Sequence, residues 1–191
     1  QDNRIALLGP FFCLVGKKHD LTCRSAGRGR QTTRQHPGIF QGFGFECPLP
    51  KHLQRTIQSG FPRYNLMVDA HFMAEMCAGI LVAVTDFDRI EGGLVLDVAH
   101  RGETSIGMGG RKFITKEGEI VLRDAKDIIC VLCQGADEKT KARADTRNVL
   151  FYSFAVPGIE GVYLRDGLAV AAQTMVQFGG GNIKGLDVFV K

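Results

Sequence analysis

Apolar residues recur at two different periods along this chain, and the switch between them predicts where helices give way to strands. In NLMVDAHFMAEMCAG at 65–79, Met67, Val68, Phe72, Met76 and Cys77 fall at helical intervals, with Asn65 placed to cap the start and Gly79 to end it. KHLQRTIQSG at 51–60 sets Leu53 and Ile57 four apart ahead of Gly60, and predicts a short amphipathic helix that Pro62 keeps from continuing. From residue 80 the period shortens. ILVAVT, GLVLDVA, KFIT, EIVLRD, DIICVLC and NVLFYSFAV are short runs rich in branched and aromatic residues, parted by turn residues, and they predict six strands. A helical pattern returns over 160–178, where Leu164, Leu168, Ala171, Ala172 and Met175 share a face and the GGG at 179–181 stops it. Gly167 interrupts that pattern at a cost of about 1 kcal/mol relative to alanine. The closing GLDVFVK alternates like an edge strand or a tail.

Strands in a central block bracketed by helices predict an α+β architecture, with helices on one side of a layered sheet. Pro37, Gly38, Gly42, Gly44, Pro48 and Pro50 predict a loop and the main boundary. That boundary parts a segment of residues 1–50, packed on or extending the domain, from a domain of residues 51–191. The 191 residues suit one domain, and 45% apolar with 23% charged residues is the composition of a chain that buries a sizeable core. The apolar stretch at 5–16 is broken by Gly9 and Pro10 and falls short of the ~20 residues of a membrane span. It also lacks the layout of a secretory leader, so a cytoplasmic protein without membrane contact is expected.

Charge is uneven. Residues 1–64 hold ten Lys or Arg against three Asp or Glu, a balance of +7 within a total of +4, so the remaining residues balance at −3. Arg24, Arg28, Arg30 and Arg34 recur in the Gly-, Ser- and Thr-rich CRSAGRGRQTTRQHPG, where a pliant backbone lets guanidinium groups track phosphates. This stretch reads as an RNA-facing arm or as a solvated loop. Phe40, Phe43 and Phe45 just beyond it suit base stacking or a core.

Catalytic signals are sparse. The chain has no GxSxG, HExxH or GxxxxGKS. Cys130 and Cys133 form a lone CxxC inside a strand pattern, where residues three apart point to opposite faces and diverge as ligands. No metal or cofactor is expected, and the six cysteines are expected to be reduced. His71 and Glu75, four apart on the predicted helix, share a face as an acid–base pair or a surface hydrogen bond.

Between Asp86 and Val149 the markers DFDRIEGG, RGE at 101–103, VLRD at 121–124 and DTRNV at 145–149 follow one another in order. Their order and spacing resemble the tRNA-binding and editing domain of the phenylalanyl-tRNA synthetase beta subunit, called B-three/four, over roughly Asn65 to Ala155. The resemblance implies a three-layer β-β-α sandwich and a pocket that hydrolyses the ester of mischarged tRNA. Counted from Val68 and Asp69, the family's pocket Asn falls on Phe72 and its His on Ala83. Counted from Asp124, its close-packed glycines fall on Cys133 and Ala136. From Thr146, its Glu falls on Tyr152 and its Ala on Phe154. The polar pocket is thus replaced largely by aromatic and apolar groups, which are poor at orienting water or stabilising an oxyanion. No catalytic residue is assigned. The matching positions, Asp86, Asp88, Gly92, Gly93, Asp124 and Thr146 among them, read as turn supports.

Three readings follow. The first is an RNA-binding module, with tRNA as partner. The second is a hydrolase acting in trans on mischarged aminoacyl-tRNA. The third is a protein-interaction module that keeps the fold without either activity. RNA binding predicts the arginines of 24–34 on one exposed face, and the interaction reading predicts an exposed apolar patch.

Overall fold

The computed structural model describes residues 37–61, 63–156 and 159–185. Residues 37–42 are helical (α1), followed by α2 (Pro48–Ser59), α3 (Leu66–Ala78) and α4 (Gly161–Gly179). Between α3 and α4 lie the strands β1 (Ala83–Asp86), β2 (Val95–Val98), β3 (Thr104–Ile106), β4 (Lys112–Ile114), β5 (Ile120–Arg123), β6 (Ile128–Val131), β7 (Gly135–Ala136) and β8 (Val149–Tyr152). All six runs named from the sequence contain a strand. The additional β3 and β7 are TSI and GA, too short for an alternating period to show itself.

Every pairing is antiparallel. β1 pairs with β8, β2-β5-β6-β7 form a four-stranded sheet, and β3 pairs with β4. The β1–β8 ribbon is the middle layer, because successive side chains leave opposite faces of a strand and here both faces are covered. Val84, Val149 and Phe151 face α3 and α4 in one core, while Ala83, Leu150 and Tyr152 face Leu122 and Cys130 of the larger sheet in another. Helices, ribbon and sheet therefore stack as α, β and β, an α+β fold. The β3–β4 hairpin closes the far side of the larger sheet, with Phe113 buried against Val121, Ile128 and Val131.

The structure corrects three local expectations. Pro37, Gly38 and Gly42 belong to α1 and Pro48 and Pro50 to α2, which leaves only residues 43–47, around Gly44, of the expected loop; α2 can start at Pro48 because proline is tolerated in a first turn, whose N–H groups have no intrahelical acceptor. Ile57 does not share a buried face with Leu53: α2 buries Leu49, half-buries Leu53 and leaves Ile57 84% exposed. In α3 the cap and stop are as expected, with Asn65 Oδ1 accepting the Val68 N–H and Gly79 left-handed. The buried face is different: Met67, Ala70, Ala74, Glu75 and Ala78 are buried, while Val68, Phe72, Met76 and Cys77 are only partly so. The reason is α4. It approaches so closely that a Cβ on Gly167 would lie 2.8 Å from Ala78 Cβ and 2.6 Å from Ile80 Cδ1, so only small side chains fit beneath it. No helix of the described residues is long and apolar enough to cross a membrane.

Candidate functional site

Five of the six positions matched to the pocket converge on the core between ribbon and sheet. Ala83 lies opposite Tyr152 in the β1–β8 register, and Cys130 lies opposite Ala136 in the β6–β7 register. Tyr152 and Cys130 lie close enough to shift each other's ionisation, and the Tyr152 ring meets Phe154 edge-on with centroids 5.7 Å apart. Cys133 packs on the same cluster from the turn after β6. Tyr152, Phe154 and Ala136 are all buried.

This core suppresses ionisation. Burial pushes the Cys130 thiol up to about 12 against the opposing influence of the nearby Tyr152 hydroxyl. Burial and then the Glu119 carboxylate push Cys133 up to about 12 as well. Tyr152 is raised well above its ordinary value, first by burial and then by Cys130. Raised in this way, the three groups hold their protons at neutral pH, with Cys130 and Tyr152 inside the cluster of Leu122, Ile129, Leu132 and Leu150 and Cys133 partly buried against it.

Phe72 stands apart from the other five, and the residues around it were not found by sequence reasoning. Glu75, one turn further along α3, is only 2% exposed. Its Oε1 accepts the Val82 N–H at 3.1 Å, and its Oε2 lies 2.9 Å from His52 Nδ1 on α2. The expected partner of Glu75 was His71, but the structure gives that role to His52, which the sequence places 23 positions away. The one available signal was Glu75 itself, an acid inside the apolar run HFMAEMCAG. His71 turns its Nδ1 away from solvent. Burial lowers its pKa, and the nearby Glu75 charge only partly offsets that.

Four rings gather here. Tyr64 stacks on Phe72 at 6.2 Å with planes 27° apart, His71 lies 4.2 Å from Phe72 at 34°, and His52 meets it edge-on at 5.2 Å. Tyr64 is held by the start of α3, where its N–H donates to Asp69 Oδ1 at 2.9 Å. Its side chain remains 63% exposed. Arg55 and Arg63 are exposed nearby in sequence, whereas Lys51 pairs with Glu46.

The remaining residues singled out by the sequence fall into separate places. Arg24, Arg28, Arg30 and Arg34 lie outside the described residues, as do the 5–16 stretch and the tail from 186. Phe40 is buried in the core, and Phe43 and Phe45 are half-buried. Lys116 ties them down, with its Nζ 4.4 Å above the Phe45 ring and donating to the Phe43 carbonyl. Exposed apolar groups are present too: Ile106, Met108 and Ile114 lie on or beside the β3–β4 hairpin. The acids at the marker turns bind backbone. Asp124 accepts the N–H groups of Glu91, Lys126 and Asp127 as well as the Lys139 ammonium.

The model of the B3/4 domain family matches residues 38–165. A solved N-terminal fragment of the phenylalanyl-tRNA synthetase beta subunit from Pyrococcus horikoshii is similar in fold, with a TM-score of 0.50 at 16% identity. The similarity covers 59% of this chain and 40% of that fragment, so the chain spans well under half of its length.

Proposed function

Because the chain belongs to the B3/4 domain family and is related to the phenylalanyl-tRNA synthetase beta chain, we propose that it is a cytoplasmic RNA-binding domain whose partner is tRNA. The observation that carries this reading is the charge asymmetry: a balance of +7 over residues 1–64, with Arg24, Arg28, Arg30 and Arg34 in a short Gly-, Ser- and Thr-rich stretch, beside −3 for the rest. The buried, protonated surroundings of Tyr152, Phe154 and Cys133 favour binding over hydrolysis at the matched positions. Titration with unfractionated tRNA at two salt concentrations tests the proposal. Affinity should fall steeply with salt as phosphate contacts release counterions. Binding that is absent, or indifferent to salt, refutes it.

One observation favours a second reading, hydrolysis in trans of a mischarged aminoacyl-tRNA. A buried carboxylate holding an imidazole by Nδ1 is the arrangement that readies a histidine as a general base, and His52 with Glu75 has it. Incubation with tyrosyl-tRNA of phenylalanine specificity tests this. A shortened ester lifetime that disappears in His52→Ala supports it, and an unchanged lifetime with wild-type protein rules it out.

A further inference from the structure

Tyr64 is the one ring of the four that is mostly solvent-exposed, and its backbone is nevertheless fixed. The Asn65 cap and the Tyr64 N–H to Asp69 bond anchor its backbone to the first turn of α3, and Phe72 backs one side of its ring at 6.2 Å. Phe72 is in turn wedged between His71 and His52, and His52 is held by the buried Glu75. An exposed aromatic normally swings among rotamers. This one rests on a stack tied to two helices, so it presents a flat surface at little further cost in ordering.

The charge around it is complementary to phosphate. The α2 sequence PLPKHLQRTIQS contains no acidic residue, and its outward positions include Gln54, Arg55 and Gln58, all hydrogen-bond donors. Arg55 and Arg63 have no carboxylate partner among the described residues. The acids closest in sequence are already engaged: Glu46 with Lys51, Asp69 with the Tyr64 N–H, and Glu75 with His52 and Val82. A planar ring with Arg63 next to it in the chain and Arg55 three residues beyond His52 on α2, neither ion-paired among the described residues, suits a base with a phosphate on either side, provided that the base is unpaired. In a duplex the base faces are covered by their neighbours.

We infer that Tyr64, backed by Phe72, is a stacking site for one unpaired nucleobase of a single-stranded RNA segment, with Arg55 and Arg63 taking the adjoining phosphates. This rests on the RNA-binding reading above and gives it a location within the described residues. His52, His71 and Glu75 act as positioning residues for the platform and make no contact with the base.

The chain has no tryptophan and three tyrosines, of which Tyr152 and Tyr163 are buried away from a docking base, so a change of tyrosine emission on binding that Tyr64→Phe abolishes reports on Tyr64. A labelled single-stranded RNA and a duplex of the same sequence are titrated into wild-type protein, Tyr64→Ala, Tyr64→Phe and the Arg55→Ala/Arg63→Ala double variant. Anisotropy gives affinity and emission gives stacking. Single-stranded RNA should quench wild-type emission, and Tyr64→Ala should weaken its binding roughly ten- to hundredfold. Tyr64→Phe should keep affinity within about threefold while losing the quenching, because the ring face is retained. The double variant should weaken binding and flatten its salt dependence. Wild-type binding that Tyr64→Ala leaves unchanged overturns this site and leaves the RNA-binding reading standing. Failure of wild-type protein to bind either RNA overturns both. So does retention of a polyglutamate peptide through Arg55 and Arg63 in place of RNA, which makes the face a protein contact.

Discussion

Thr146 donates its hydroxyl hydrogen to Asp86 Oδ2 at 2.6 Å, joining residues 60 positions apart. Asn148 Nδ2 reaches the Asp88 carboxylate at 2.9 Å across the same separation. DFDR and DTRNV, the two ends of the marker series, therefore close on each other beside the β1–β8 ribbon. The residues that carried the resemblance hold this junction. Because Asp86 is 4% exposed, Thr146→Val leaves a buried carboxylate short of a donor and should cost about 1.5–3 kcal/mol in urea unfolding. Arg89→Ala removes a partly exposed partner of the same carboxylate and should cost less than about 1 kcal/mol. Equal losses would show that Asp86 is not governed by Thr146.

Gly167 marks the closest approach of α4 to the end of α3. Alanine there gains about 1 kcal/mol of helix propensity, yet its Cβ meets Ala78 at 2.8 Å, where a stiff methyl has nowhere to go. Overpacking of this kind costs about 1–3 kcal/mol, so Gly167→Ala should be destabilising by up to about 2 kcal/mol net. A raised melting temperature would contradict the close packing.

Glu75 joins three elements, since its carboxylate meets His52 of α2 and the Val82 N–H ahead of β1. Glu75→Leu leaves that N–H and the imidazole without their acceptor and should cost about 2–4 kcal/mol. Glu75→Gln keeps an acceptor for Val82 and should cost less. Chemical denaturation of the two variants checks the order, and a stabilised Glu75→Leu would mean that the carboxylate is a burden on the fold.

His71 predicts how stability follows pH. Burial holds its imidazole below the ordinary 6.5, against the opposing pull of Glu75 and Asp69, while unfolding releases it to that ordinary value. As pH falls below the ordinary 6.5 the unfolded chain takes up this proton first, so stability present above that pH is lost on acidification until the folded imidazole is protonated too. The slope of unfolding free energy against pH should flatten in His71→Asn. An unchanged slope would show that another group sets it.

Local chemistry was legible in the residues. Asn65 and Gly79 bound α3 where a cap and a left-handed stop are needed, the glycines at 179–181 end α4, and each branched run contains its strand. These signals work because a cap, a positive φ or a strand period depends on neighbours a few positions away. The markers of the B3/4 domain were readable for the same reason, being turns that bind their own backbone. The candidate site was read only in part. Phe72 was named for its place in the resemblance, but His52 and Tyr64 were not, and Glu75 was given the wrong histidine.

The sequence by itself determined the longer helices and strands, the ends of α3 and α4 and the uneven charge, since each follows from residue type and short spacing. Only the tertiary structure decided which face of α3 is buried, that Tyr152, Phe154 and Ala136 lie in the core, and that His52 meets Glu75. Those outcomes depend on how closely one element can approach another. That distance is set by atoms far apart in the chain, such as the missing Cβ of Gly167 above Ala78, and no local period records it.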